Sequence, residues 1–231
     1  MGFGLLYLAL GAGLLTASIL NGGPAWVLAW PALAFFVVAA GYLGVGARVL
    51  GKRPDGTIAP AAFVLLLPYF MVAWLYYRLL RRLPLSRPWD EVIPGMYVGR
   101  RCYPDELPRD IGMIVDLTAE LPAPRGLPPS VRYVCLPTLD GHVPEQGPFR
   151  SLVAEIAGFD EPVLVHCAAG HGRAPTTAAA VLLQRGRART YKEAIQILRR
   201  TRPRVLLGRS QRRLVRTFVA NLSTGPSQVE T

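Results

Sequence analysis

Three long stretches without a charged side chain occupy the first third of the sequence. They cover residues 3–20, 25–47 and 58–77, and a helix that crosses a membrane needs about 20 predominantly apolar residues. Only six basic residues and one acidic residue occur in 1–83. The sequence therefore predicts an α-helical transmembrane anchor of three helices over 1–83, followed by a soluble domain.

The basic residues around the third stretch bear on the orientation of this anchor. A cleaved signal peptide is an alternative for the first stretch, but no Lys or Arg precedes it and two further stretches follow. Basic residues favour the cytoplasmic side, and they lie on both sides of the third stretch, at 48–53 and 78–87. The larger second group predicts a multi-pass integral membrane protein with its C-terminal domain in the cytoplasm. A re-entrant third segment around Pro68, which would put both groups inside, is the alternative.

Short apolar runs separated by Pro and Gly follow a linker at 83–89. The pattern predicts strands at 96–98, 111–117, 131–136 and 162–166, and helices at 149–157, 175–184, 191–200 and 210–221. The last three strands are mostly apolar, as in a sheet that is covered on both faces. Residues 84–222 are therefore expected to form one α/β domain with a central sheet flanked by helices, and 223–231 a flexible polar tail.

The net charge of +11 requires an anionic partner, such as phospholipid head groups, a phosphorylated substrate or nucleic acid. Twelve basic residues lie within 185–216 (the basic segment), opposed only by Glu193: Arg185, Arg187, Arg189, Lys192, Arg199, Arg200, Arg202, Arg204, Arg209, Arg212, Arg213 and Arg216. The basic segment has too few interleaved aromatic residues for nucleic-acid binding. The predicted partners are an anionic membrane surface and a phosphorylated substrate, and no nucleic acid is expected.

The three cysteines, Cys102, Cys135 and Cys167, are too few and too widely spaced for a disulfide framework or a zinc site. A single reactive thiol is the interpretation that follows, with no metal and no cofactor. A regulatory disulfide between Cys167 and one of the other two stays open.

The most informative stretch runs from 162 to 176, where an apolar strand ends at His166 and small residues follow. Pro175 is compatible only with the first turn of a helix, where its missing N–H is not needed. The intervening loop must therefore lie at a helix N-terminus, where free amides and the helix dipole favour an anion, and its glycines permit the conformations that aim these amides inward. The predicted phosphate-binding residues are Ala168, Ala169, Gly170, His171, Gly172 and Arg173.

Cys167 lies at the start of this loop, beside the predicted anion site. The loop amides, the helix dipole and the Arg173 guanidinium all favour its thiolate form. Arg173 also offers a planar fork for two oxygens of a phosphoryl group. A thiolate nucleophile within a phosphate-binding loop predicts hydrolysis of phosphate monoesters through a cysteinyl-phosphate intermediate.

A His-Cys pair followed by five residues and Arg, directly after a strand, resembles the signature of the protein tyrosine and dual-specificity phosphatase superfamily. Residues 93–99 and 191–214 are similar to the opening strand and to the helical region after the loop in dual-specificity phosphatases. The resemblance covers about residues 88–222 and none of the anchor. It implies a dual-specificity-phosphatase-like fold, a phosphatase activity with Cys167 and Arg173 as catalytic residues, and a supporting role for His166, which organises the loop by hydrogen bonding.

The resemblance also implies a general acid on a separate loop, which protonates the leaving oxygen. Asp140 follows a predicted strand and precedes the helix that leads to the Cys167 strand, as the family's acid does. Asp116 is the competitor, but its place at the end of a buried strand favours capping of the following turn. Asp140 is therefore the predicted acid. His142 could orient it or contact substrate, although an exposed loop histidine without a role is the favoured interpretation.

One position departs from the superfamily pattern. Most members have Ser or Thr directly after the Arg, where the hydroxyl stabilises the departing thiolate, and this chain has Ala174. Slow breakdown of the phosphoenzyme is therefore expected, unless Thr176 or Thr177 substitutes. The alternative to an enzyme is a phosphate-binding pseudophosphatase that acts as a non-catalytic membrane interaction module.

The loop does not distinguish between two classes of substrate. One class is a phospholipid monoester that enters from the bilayer, and the other is phosphotyrosine or phosphoserine/threonine on a membrane-proximal protein. The anchor, the basic segment and the small residues Ala168 and Ala169 favour a lipid.

Overall fold

The computed structural model describes residues 2–82 and 87–223, and the chain falls into two compact units. The first unit comprises the residues up to 83 together with the short segments 118–123 and 137–139, and the second comprises the remainder. Residues 83–86 of the predicted linker, and all of the predicted tail except its first residue, lie outside the described residues.

The first unit contains three helices, α1 (Gly2–Asn21), α2 (Ala29–Ala40) and α3 (Pro60–Arg82). By length and composition, α1, α3 and the helical segment Gly23–Val45 are each able to cross a membrane. These segments overlap the three apolar stretches of the sequence, and α3 extends the third of them to Arg82. Mainly apolar helices therefore form at all three predicted places.

Two segments from the middle of the chain, 118–123 and 137–139, belong to the first unit. Lys52, buried in the loop before α3, donates from Nζ to the carbonyl oxygen (2.8 Å) and the hydroxyl oxygen (2.9 Å) of Thr118. Leu139 packs in an apolar cluster with Phe35 and Leu50. The first unit thus encloses segments that are distant in the chain, which no pattern within residues 1–83 indicates.

The second unit is built on a mixed five-stranded sheet in the order β1-β2-β5-β3-β4. The strands are β1 (Trp89–Ile93), β2 (Met96–Arg100), β3 (Met113–Thr118), β4 (Arg132–Thr138) and β5 (Val163–Cys167). β5 lies between β2 and β3 and runs parallel to both, whereas β1 pairs antiparallel with β2. The sequence did not predict β1, because two of its five residues are acidic and the segment therefore shows no apolar run.

Four helices flank the sheet: α4 (Gln146–Ala157), α5 (Arg173–Gln184), α6 (Tyr191–Thr201) and α7 (Arg209–Ser223). Each contains a helix predicted from sequence and extends it by no more than three residues at either end. α5 is buried along its length up to Leu183, so its first turn is held rigidly at the carboxyl end of β5. The prediction of an α/β domain with a central sheet flanked by helices is confirmed.

Candidate active site

The central strand β5 positions Cys167. All five residues of β5 are buried, and His166 pairs with Gly99 of β2 on one side and with Asp116 of β3 on the other. Cys167 itself is 3% exposed. Because β5 runs parallel to both neighbours, the carboxyl ends of all three strands lie at the same edge of the sheet. Cys167 is the last residue of β5, so its thiol lies at that edge, near the start of α5.

Residues 167–173 (the phosphate loop) require glycine at position 170. Gly170 has a φ of +74°, which side-chain-bearing residues rarely adopt. A Cβ atom at this position would also lie 2.5 Å from the carbonyl carbon of Gly99. In this conformation the Gly170 N–H donates to the Cys167 Sγ at 3.3 Å, so the loop turns at least one amide onto the thiol.

The outer side of the phosphate loop is held by Arg202, which is only 2% exposed. Its Nε donates to the Gly170 carbonyl at 2.8 Å and its Nη2 to the Ala169 carbonyl at 3.2 Å. Its Nη1 donates to Asp90 Oδ2 at 2.7 Å. Because the guanidinium holds these carbonyls outward, it favours amides that face inward, toward the predicted anion site.

Sequence reasoning missed this role of Arg202. It counted Arg202 and Arg185 among the surface charges of the basic segment, yet Arg185 donates to backbone carbonyls of Ile156 and Phe159 at 2.7 and 3.0 Å. The other ten basic residues of the segment are exposed. In the sequence, the Arg202-Pro203 pair stands out only through the family resemblance, and nothing else distinguishes Arg202 from the neighbouring cations.

Arg173, the first residue of α5, joins the phosphate loop to a second loop. Its side chain is buried, and Nη1 donates to the Leu117 carbonyl at 3.4 Å. Nη2 forms an ion pair with Asp140 Oδ1 at 3.2 Å. The predicted catalytic arginine and the predicted acid are therefore neighbours.

Residues 139–145 (the acid loop) carry Asp140, whose side chain is 60% exposed. The loop is held through backbone oxygens: Gln211 Nε2 donates to the His142 carbonyl at 3.3 Å, and Ser210 Oγ donates to the Gly141 carbonyl at 3.5 Å. Gln211 also packs on the phosphate loop, because a Cβ on Gly172 would lie 3.3 Å from its Nε2. The His142 ring nitrogen Nδ1 lies 3.3 Å from the Asp140 carbonyl oxygen.

Asp116, the competing candidate for the acid, lies in the interior with no exposed surface. Its Oδ2 accepts a hydrogen bond of 2.7 Å from the Tyr133 hydroxyl, and its Oδ1 lies 3.9 Å from Nδ1 of the buried His166. Burial and the Asp116 carboxylate raise the pKa of the Tyr133 hydroxyl well above its ordinary value. This carboxylate therefore supports the β3–β5 region rather than facing a leaving group.

His171 is the one titratable side chain of the phosphate loop between Cys167 and Arg173. Burial lowers its pKa below the ordinary value of 6.5, and the nearby cations Arg202 and Arg204 lower it further. The imidazole is therefore neutral at neutral pH and adds no charge to the site. The His171 carbonyl accepts a hydrogen bond of 3.0 Å from the Leu206 amide.

Ala174 is fully buried in the first turn of α5. The Thr176 hydroxyl donates to the Gly172 carbonyl at 2.8 Å, and the Thr177 hydroxyl donates to the Arg173 carbonyl at 3.5 Å. Both hydroxyls are thus engaged with the helix backbone, which argues against either of them replacing the hydroxyl absent at Ala174.

All three cysteines are free thiols, with Cys102 and Cys167 buried and Cys135 partly buried. Within residues 2–82 and 87–223, no group of three or more His, Cys, Asp or Glu side chains is arranged to hold a metal ion.

Comparison with known proteins identifies the domain. The family model described as PTP-SAK, Swiss Army Knife protein, DSP-PTPase phosphatase domain, matches residues 105–221. This range is just over half of the chain and contains both the phosphate loop and the acid loop. A search of the curated proteins gives no match.

Solved structures share the fold of the second unit. Human DUSP28 is 19% identical, with a TM-score of 0.53 over 61% of this chain and 98% of its own. A human tyrosine phosphatase-like serine/threonine/tyrosine-interacting protein is 20% identical, with a TM-score of 0.52 over 61% and 100%. PTPMT1 is 19% identical, with a TM-score of 0.50 over 59% and 96%. The predicted dual-specificity-phosphatase-like fold is confirmed.

Proposed function

Because the chain belongs to the family of Swiss Army Knife proteins with a DSP-PTPase phosphatase domain, we propose that it hydrolyses phosphate monoesters through a cysteinyl-phosphate on Cys167. One observation carries this proposal: the Gly170 amide donates to Cys167 Sγ, at the end of a buried strand that leads to the buried Arg173. An amide of the phosphate loop is therefore in place beside the proposed nucleophile.

The proposed reaction has two steps. In the first, the Cys167 thiolate donates its electron pair to phosphorus, the S–P bond forms and the ester P–O bond breaks. The loop amides and the Arg173 fork stabilise the charge on the non-bridging oxygens. In the second, water attacks phosphorus, the S–P bond breaks, and inorganic phosphate leaves as the thiolate is restored.

Asp140 is the proposed acid for the leaving oxygen and the base for the attacking water. Its ion pair with Arg173 supports this role, because the carboxylate reaches the edge of the phosphate-binding loop. Its exposure leaves room for a leaving group in front of it. Asp116 is enclosed and bonded to Tyr133, which makes it unsuited to the task.

The proposed substrate is a phospholipid monoester at the cytoplasmic face of a membrane in which the protein is anchored by several spans. Three helical segments able to cross a membrane support this assignment, as do the ten exposed cations of the basic segment. A phosphorylated protein near the membrane is the second candidate, because the same anchor would bring it to the same loop.

The test uses the full chain reconstituted in lipid nanodiscs. Phosphate release is measured with phosphatidylglycerophosphate and phosphoinositides in the disc, and with phosphotyrosine and phosphoserine peptides in solution, each against Cys167→Ser. We expect turnover of at least one lipid that exceeds turnover of every peptide. Preference for a peptide would reverse the substrate assignment. Phosphate binding without any turnover would identify a pseudophosphatase and contradict the proposed reaction.

A further inference from the structure

The connection between α6 and α7, residues 202–208, presents an unusually exposed apolar side chain. Leu206 is 73% exposed, and the other exposed large apolar side chains among the described residues of the second unit are Leu222 at 42% and Tyr103 at 37%. Single exposed leucines are common on protein surfaces. The surroundings of Leu206 decide what it can do.

Those surroundings are strongly basic. No acidic residue occurs in 194–229, and the exposed arginines on either side of Leu206 include Arg204 and Arg209. An exposed apolar side chain flanked by cations matches the interface of an anionic bilayer, where apolar side chains enter the boundary with the acyl chains and cations meet lipid phosphates.

Chain length limits how far this connection can lie from the end of α3. Arg202 Nη1 donates to the Arg87 carbonyl at 3.3 Å, and Arg87 follows Arg82, the last residue of α3, by five positions. Five residues span at most about 18 Å. If α3 crosses a bilayer, Arg87 and Arg202, the first residue of the connection, are therefore held close to the surface of that bilayer. This tether favours a membrane over a soluble protein as the partner.

The same connection is bonded to both catalytic loops. The Leu206 amide donates to the His171 carbonyl of the phosphate loop at 3.0 Å. The Gly208 amide donates to Gln211 Oε1 at 2.9 Å, and Gln211 Nε2 donates to the His142 carbonyl of the acid loop. A surface that contacts residues 203–208 is therefore linked by hydrogen bonds to the phosphate loop and, through Gln211, to the acid loop.

We propose that residues 203–209 form a membrane-docking surface, in which Leu206 enters the head-group region of an anionic bilayer while Arg204 and Arg209 bind lipid phosphates. Docking in this way brings the mouth of the phosphate loop to lipid head groups. The substrate part of this inference rests on the proposed function, whereas docking itself requires no catalysis.

The direct test is photocrosslinking in the full chain, carried out with Cys167→Ser so that no turnover intervenes. Leu206→p-benzoylphenylalanine is compared with Leu222→p-benzoylphenylalanine, which lies near the other end of α7, about 20 Å along the helix. Both are reconstituted in nanodiscs of phosphatidylcholine with phosphatidylglycerol. We expect several-fold more lipid adduct at position 206 than at 222, and less when phosphatidylglycerol is omitted. Equal yields at the two positions, or an adduct at 206 with a second copy of the chain, would overturn the proposal.

A second measurement links docking to substrate. The ratio of turnover of a bilayer-embedded lipid monoester to that of a soluble aryl phosphate should fall about tenfold in Leu206→Ser, because burial of a leucine is lost. Leu222→Ser should keep the ratio of the unchanged protein. An unchanged ratio in Leu206→Ser contradicts a role of docking in substrate access. If no variant turns over any substrate, the proposed function fails, while the crosslinking result still decides docking.

Discussion

The phosphate loop and the acid loop meet at Arg173 but are built in different ways. Cys167 and Arg173 are each 3% exposed, and a second buried guanidinium, that of Arg202, holds the loop carbonyls from behind. Asp140 is 60% exposed, and its loop is held through the backbone oxygens of Gly141 and His142. Under the proposed function, this difference means that the protein interior fixes the geometry around phosphorus, whereas an accessible side chain handles the leaving group.

Replacement of the nucleophile should have the largest effect and should separate binding from chemistry. We expect Cys167→Ser to abolish hydrolysis of an aryl phosphate while vanadate still binds, because the loop amides survive the loss of the thiol. Calorimetric titration with vanadate measures binding, and a phosphate-release assay measures hydrolysis. Substantial turnover by this variant would exclude the thiol mechanism.

Removal of the Arg202 guanidinium, which supports the phosphate loop, should have the second largest effect. Arg202→Met leaves Asp90 and three carbonyls without their donor, and we expect it to lower the free energy of unfolding by about 3 to 5 kcal/mol. A loop displaced by about 1 Å should lower kcat by roughly 10²-fold. The exposed Arg187→Met is the matched control, since surface substitutions usually change stability by less than about 0.5 kcal/mol.

Asp90→Asn provides a milder version of the same change, because the amide still offers an oxygen to the guanidinium. Its denaturation midpoint and kcat should fall between those of the unchanged protein and those of Arg202→Met. If Arg202→Met and Arg187→Met have equal kcat values, the buried arginine is not what shapes the phosphate loop.

The acid loop should show an effect that depends on the leaving group. We expect Asp140→Asn to lower turnover by about 10²- to 10⁴-fold for alkyl phosphates, and much less for aryl phosphates with acidic phenols, which leave without a proton. A series of substrates with graded leaving-group acidity gives the slope. The same pattern in Asp116→Asn, with none in Asp140→Asn, would assign the acid to the interior carboxylate instead.

Substitution of Ala174 should have the smallest effect on turnover, and only through the second step of the reaction. With a good leaving group, rapid mixing should show a burst of product comparable to the enzyme concentration, followed by a slow steady state. Ala174→Ser should raise the steady rate and leave the burst rate nearly unchanged, since the added hydroxyl acts on thiolate departure. Absence of a burst together with an unchanged steady rate would show that breakdown of the intermediate is not limiting.

Much of this molecule was predictable wherever the pattern is local. The phosphate loop follows from a buried strand, two glycines and Pro175 within 15 neighbouring positions, and the helices follow from apolar periodicity. β1 was missed because its pairing with β2, rather than its own composition, makes it a strand. The role of Arg202 was missed because Gly170 lies 32 positions away, and a basic stretch gives no sign of which cation is enclosed.

The extent of the first unit could not be predicted from the sequence, because its contacts also join residues that are far apart in the chain. Lys52 reaches Thr118 across 66 positions, and Leu139 joins the cluster of Phe35 and Leu50 across a larger separation. Long-range packing of this kind depends on the whole fold. Composition and periodicity within a short window carry no information about it.

The central claim is that Cys167 carries the phosphoryl group during turnover. The most direct test is a rapid quench of Asp140→Asn with an aryl phosphate, followed by mass spectrometry of the peptides. Asp140→Asn is suitable because it should slow attack by water more than transfer from an acidic phenol. We expect one added phosphoryl group on the peptide that contains Cys167, which disappears on longer incubation and is absent from Cys167→Ser. A phosphoryl group on any other residue, or turnover with no phosphorylated peptide at any time, would contradict the account.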